Sequence, residues 1–354
     1  MIELRDDALV FSSPEVHRDA TFNIGFQRTL RIPDDGSTYP LPAGLGRFPL
    51  RHVDDFGDRL PAQWRARGGV MLPMYQAEAM WLNFSGGYPW AVKIAAGLVN
   101  AVSGESWDVG LHSTTEQLPP GSWCATGVPS EITPQDYLTV PEQPWLDGFN
   151  VGSGQIRQFV AMPLGGGHTA EEQVTGQGKH GGLQILAYPM RAEAYEERFG
   201  TRWASAGGYE DIDKYAMATT LECAAPPPDM GLGLGGLMRQ EILADPFGVD
   251  AWDLQHPSRC FVHLTNSEQW ARITGEASPT RPPTAADYAR ARIPWFDYYA
   301  HGEVVPGSPE LADLKSVAEV SAHAGGDPLD DGSIPIDRVT VVRPRDPYRV
   351  SERW

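Results

Sequence analysis

The sequence predicts a mainly β chain of the α+β class, with a few short helices and packed antiparallel sheets in two or three subdomains. Three observations carry this. Short apolar runs alternate with period two, turn-forming Gly (38) and Pro (31) are scattered between them, and only a few segments show helix start and stop chemistry. At 354 residues the chain also exceeds what one hydrophobic core usually serves.

Taken in order, Phe22, Ile24 and Phe26 fall on one face of residues 21–32, which predicts a half-buried strand ended by the Pro33–Gly36 turn. Tyr39–Leu50 is rich in Pro and Gly and predicts a loop. Residues 70–84 are apolar in both registers, which leaves strand and buried helix open, whereas Trp90–Ile94 alternates between Gly87 and Gly97 and predicts a strand. Tyr137–Val140, Ile156–Met162 and Leu183–Tyr188 are three more, expected as a meander, with the polar run His168–Thr175 in a hairpin between the last two. Helices are expected at Arg191–Phe199 before Gly200, at Leu237–Ala244 before Asp245-Pro246, and at Ser267–Arg272 between the Asn266 cap and Gly275. A further helix starts at Thr284, with Asp287 as its capping partner, and ends near Ile293. Arg338–Val342 is the last strand. Three prolines mark a seam at Ala224–Asp229. The division that follows is a β-rich unit over residues 1–150, a β-meander plus helix over 151–224, and an α+β unit over 230–354.

A formal charge of −18 repels phosphate backbones, and Arg59, Arg65 and Arg67 are offset by Asp54, Asp55 and Asp58, so no nucleic-acid partner is expected. The opening Met1-Ile-Glu-Leu-Arg-Asp-Asp lacks an apolar run and predicts no secretory signal. Trp90–Val102 is too short to span a bilayer and contains Lys93 and Asn100. Cys124, Cys223 and Cys260 are odd in number, without C-x-x-C spacing, as expected of reduced thiols. The expectation is a soluble, cytoplasmic, acidic protein that meets no membrane and holds no stoichiometric zinc.

The strings Pro40–Leu50, Gln143–Gly148, Ile156–Gly165, Glu171–Gly176, Gly235–Pro246 and Pro294–Tyr299 resemble a family of uncharacterised bacterial and fungal proteins. The resemblance implies an orthodox fold and no particular mechanism. Some fungal members carry a ubiquitin-like segment ahead of the stretch that matches Gly235 onward. Here only about forty residues separate Pro189 from Asp229, too few for that segment beside the expected helix.

Gly231-Leu-Gly-Leu-Gly-Gly236 satisfies G-x-G-x-x-G, but Pro226–Pro228 stands where a dinucleotide fold needs a strand. It reads as a hinge or helix lead-in, and no cofactor is expected. The densest titratable group runs from His168 through Glu171 and Glu172 to His180. On a strand Glu171 and Gln173 would share a face, with Glu172 opposite. Arg157, His168, Glu171 and His180 are the candidate ligand or partner contacts. A solvated hairpin is the plainer reading, and no catalytic residue is assigned. Cys260 and His263 fall on opposite faces of their strand. No G-x-S-x-G, H-E-x-x-H or G-x-x-x-x-G-K-[ST] string occurs. The eleven Trp residues are core filler or a stacking platform. The function expected is binding or assembly, with a protein partner or a second copy, through a β-rich aromatic surface. An enzyme of unassigned class, hydrolases included, using polar residues of 157–180, is the alternative.

Overall fold

The computed structural model describes residues 1–113, 134–200, 229–282, 284–298, 303–323, 336 and 339–342. The chain opens on an antiparallel hairpin, β1 (Ile2–Arg5) and β2 (Ala8–Ser12), and continues into β3 (Thr21–Thr29), which sends Phe22, Ile24 and Phe26 into the core as the alternation requires. The Pro/Gly-rich stretch read as a loop forms very short strands instead: β4 (Thr38–Tyr39), β5 (Leu41–Pro42) and β6 (Gly44–Arg47), followed by β7 (Arg51–His52). Proline removes ladder donors at each step and keeps these pairings brief. After helix α1 (Ala62–Arg67), residues 70–84 resolve into two strands, β8 (Val70–Met74) and β9 (Ala79–Gly86).

The strands β10 (Trp90–Ala96), β11 (Val99–Asn100), β12 (Leu138–Val140), β13 (Trp145–Leu146), β14 (Gly148–Gly152) and β15 (Gln155–Pro163) come next. They lead to α2 (Ala170–Thr175), β16 (Leu183–Pro189), α3 (Ala192–Phe199), β17 (Asp229–Arg239) and β18 (Ser258–Asn266). The C-terminal part holds α4 (Ser267–Thr274), α5 (Ala285–Arg290), β19 (Trp295–Tyr298), α6 (Pro309–Ala312), α7 (Val317–His323) and β20 (Val339–Val342).

Among the described residues seventeen strands join one mainly antiparallel sheet, and β5, β19 and β20 form a second, three-stranded one. A continuous hydrogen-bonded path runs β12, β10, β16, β18, β17, β15, β9, β3, β2, β1. Along it β16 and β15, from residues 151–224, each join a strand of residues 1–150 to one of the C-terminal segment, and one core cluster draws on all three segments. The seam at Ala224–Asp229 lies outside the described residues, save for Asp229, which opens β17. Among the described residues no helix is long and apolar enough to cross a membrane.

The helices expected at 191–199, 267–272 and 284–293 are present, with Gly200 and Gly275 at their ends and the Thr284/Asp287 capping box made in full. Four further expectations are corrected. The meander is absent, because β12 and β16 flank β10 while β15 pairs with β14, β9 and β17. His168–Thr175 is no hairpin. Thr169 and Glu172 cap α2 reciprocally, and Gly176 ends it in the left-handed region.

The glycine-rich Gly231–Gly236 is neither hinge nor helix lead-in but the middle of β17. Met230, Leu232 and Leu234 face the core, and the glycines let other segments cross against the strand. A Cβ at Gly233 would stand 2.4 Å from the His168 carbonyl oxygen, and one at Gly236 would stand 2.2 Å from that of Pro33. The helix expected at Leu237–Ala244 is replaced by the end of β17 and an irregular run. Glutamine side chains satisfy its backbone: Leu243 N–H donates to Gln143 Oε1 at 2.9 Å and Asp245 N–H to Gln135 Oε1 at 2.8 Å.

The same glutamine chemistry buries Asp147 between β13 and β14. Gln240 accepts the Asp147 N–H and donates to its Oδ2, each at 3.0 Å. Burial pushes this carboxyl up to about 7, against the pull of the Gln240 donor. The folded chain therefore holds the proton more tightly than the unfolded chain. The resulting stability is complete below a pH of about 4 and is lost as pH rises towards 7. Asp147→Asn, which needs no proton, is expected to raise stability in urea at pH 8 by about 1–3 kcal/mol and to change it little at pH 4.

Candidate functional site

The four residues singled out from sequence separate into different environments. Arg157 on β15 donates to Asp34 Oδ1 at 3.0 Å and to the Gly235 carbonyl at 3.2 Å, which ties the Pro33 turn to β17. His168 meets Ser321 Oγ of α7 at 3.2 Å. Glu171, buried on α2, accepts the backbone N–H of His180 at 3.1 Å and of Gly181 at 2.8 Å. Glu171 and His180 are thus brought together, but through the main chain. The imidazole Nδ1 of His180 is buried without a hydrogen-bond partner. Burial and then the Arg67 guanidinium push its pKa down, Glu171 opposes them, and Lys179 adds to the push.

A denser cluster stands on β10. Lys93 is 1% exposed, and its Nζ lies 2.8 Å from Asp108 Oδ1 and 2.6 Å from Asp136 Oδ2. It also donates to the Gly110 carbonyl, and it lies 5.6 Å from the Trp107 ring centroid. The Tyr188 hydroxyl donates to the Val109 carbonyl and so holds the same loop down. Asp136 lies two residues before β12, the neighbour of β10, and its carboxylate takes His112 at two points. The His112 backbone N–H donates to Oδ1 at 3.0 Å, and the ring Nδ1 lies 2.8 Å from Oδ2. With Nδ1–H donating to Asp136, Nε2 carries the lone pair of a ring whose side chain is 35% exposed. Burial pushes Asp108 up, but the Lys93 ammonium and the Gly110 N–H outweigh it and hold the carboxyl below its usual range.

Asp108, His112 and Asp136 bring one ligand atom each within 4.8 Å of the others, a spacing that suits a divalent ion. The Lys93 ammonium already bonds both carboxylates, so the cation of this cluster is supplied by the chain itself. Lys93 had a sequence signal as the one charge in an otherwise apolar strand. Its partners lie in loops that no local pattern marks.

The face of the sheet that carries Lys93 continues across two more strands. Lys93 stands opposite Leu186 on β16, and Leu186 stands opposite Arg259 on β18. Opposite residues share a face, so Lys93 and Arg259 stand side by side about 10 Å apart at the usual strand spacing. Arg259 donates to Gln184 Oε1 at 3.0 Å and lies 4.5 Å from the Phe261 ring centroid. Arg67, at the end of α1, lies 5.7 Å from the same centroid. Trp64, one turn earlier, stacks on His263 at 4.6 Å, and His263 Nε2 lies 3.0 Å from the Gly68 carbonyl. Burial pushes His263 down to about 4, which keeps it neutral and makes Nε2 the donor. Burial also pushes Arg67 below its usual range, Glu171 opposes this, and Arg259 adds to it.

Of the two readings of the tryptophans, core filler fits Trp64, Trp90, Trp252, Trp270 and Trp295, which are buried, and no described Trp is exposed. Cys260 is a free, buried thiol pushed up to about 12 by burial, which makes it a poor nucleophile. No protein-family model, curated protein or solved structure matches the chain.

Removing Lys93 leaves two carboxylates facing each other beside a buried strand. Lys93→Met is expected to lower the unfolding free energy at pH 7 by about 3–5 kcal/mol in urea titrations, and adding Asp136→Asn is expected to recover part of the loss.

Proposed function

We propose that this chain is an acid–base enzyme in which His112 exchanges a proton with the substrate or with water. The observation that carries the reading is the Asp136–His112 contact of 2.8 Å, backed by Lys93 at 2.6 Å from the same carboxylate oxygen. Asp136 fixes the tautomer, so Nε2 is the base. A general base held in this way contributes about 10²–10⁴-fold to a rate.

The expected aromatic binding surface draws less support, because the large rings serve the core among the described residues. The region 157–180 supplies loop-closing contacts, and the acid–base cluster is built from Lys93 of β10 and the loops that carry Asp108, His112 and Asp136.

The test is a turnover panel of esters, amides and phosphate monoesters with the native chain, His112→Gln and Asp136→Asn. One activity is expected to fall about 100-fold or more in His112→Gln, with a melting temperature near that of the parent, and about 10-fold or more in Asp136→Asn, assayed below that variant's own, lower melting temperature. An activity that survives in both variants, or no turnover in any class, counts against the reading.

A further inference from the structure

We infer that Arg67, Arg259 and His180 form an anion subsite on the sheet face shared with His112, and that it takes the phosphoryl dianion of a small phosphate ester. The substrate class rests on the acid–base reading above. The subsite itself stands on separate observations.

Its frame is rigid. Arg259, Phe261 and His263 alternate along β18 and share one face, so the Phe261 ring lies between the side chains at the two ends. Arg259 packs on that ring and is held by Gln184 Oε1. Gln184 in turn donates to the Gly97 carbonyl at 2.6 Å, so both ends of the amide are used in orienting the guanidinium. Arg67 reaches the same ring from α1, whose position is fixed by the buried Trp64–His263 stack. Two guanidiniums on one aromatic ring repel each other, and neither forms an ion pair with a carboxylate among the described residues.

The nearest acid is Glu171, and it is already engaged: its carboxylate closes the loop through the N–H groups of His180 and Gly181. Beside them stands His180, whose Nδ1 is buried without a hydrogen-bond partner. Elsewhere the chain carries an excess of negative charge, with a formal total of −18. Glu171 sets one negative charge against the two guanidiniums, so the group keeps a net positive charge that an anionic ligand offsets. Guanidinium forks match the oxygens of a phosphoryl group. Arg259 stands about 10 Å from Lys93 across two strand spacings, so a small ester anchored at its phosphoryl end extends towards the His112 loop.

The experiment is isothermal titration of the full chain at low ionic strength and pH 7.5 with inorganic phosphate, with phenyl phosphate, and with chloride at matched ionic strength. Both phosphates are expected to bind and chloride is not, with phenyl phosphate the tighter. Arg67→Gln with Arg259→Gln is expected to weaken phosphate binding at least tenfold while the ligand-free melting temperature stays within a few degrees. Arg259→Met, which keeps contact with Phe261, serves as a second variant and is expected to weaken it less.

Binding no stronger than that of chloride, or binding unchanged in the double variant, overturns the subsite. Equal affinity for the two phosphates overturns the ester and leaves a site for free phosphate. His112→Gln is expected to leave phosphate affinity unchanged. Phosphate binding lost in the double variant, with no turnover dependent on His112, sustains the subsite and sinks the acid–base reading alone.

Discussion

An ammonium group inside a sheet must be met by charge at contact distance, and this demand, made by Lys93, organises the chain around β10. Burying the charge unpaired would cost several kcal/mol or more. Two loops answer it. One brings Asp108 and the Gly110 carbonyl over the strand, and the other delivers Asp136 just before β12. Once Asp136 is placed, its second oxygen and its remaining lone pairs are available to His112, whose main chain and ring are both captured. The orientation of the imidazole is thus a by-product of neutralising a lysine.

Across the same face charge is handled in the opposite way. At the Lys93 end a cation is surrounded by acids, whereas at the Arg259 end two cations share an aromatic ring and their neighbouring acid serves the main chain. Neutral groups fill the space between. Leu186 stands between Lys93 and Arg259, and Gln184 holds Arg259 by its carbonyl. The face therefore carries a cation paired with acids at one end and two cations on one ring at the other, with neutral side chains between them.

Much of the fold was legible because its signals are local. The alternation of Phe22, Ile24 and Phe26 names the buried face of β3, and the Asn266 and Thr284 caps name the starts of α4 and α5. The same rule, applied to Thr169 and Glu172, marks the start of α2, but the flanking glycines and the strands on either side argued for a hairpin. In β17 the glycines read as flexibility because their reason is tertiary: they make room for the His168 carbonyl and the Pro33 turn, neither of which is near in sequence. Pairing is where local signals end. Lys93 can be seen as a charge among apolar neighbours, yet nothing near it points to Asp136 or His112. Arg259 and Phe261 can be placed on one strand face, but Arg67 joins them only through the fold.

The parallel pairing of β8 with β18 gives the topology a temporal side. β8 and β18 lie next to each other, with Leu72 beside Leu264, so the two halves of this ladder leave the ribosome far apart. At ordinary synthesis rates of about 5–20 residues per second, β8 waits roughly 10–40 s for its partner. During that interval its main-chain donors and acceptors form an open edge on an apolar strand, and β7 covers only Val70 and Met71. The chain therefore completes this ladder only after β18 has emerged, late in synthesis.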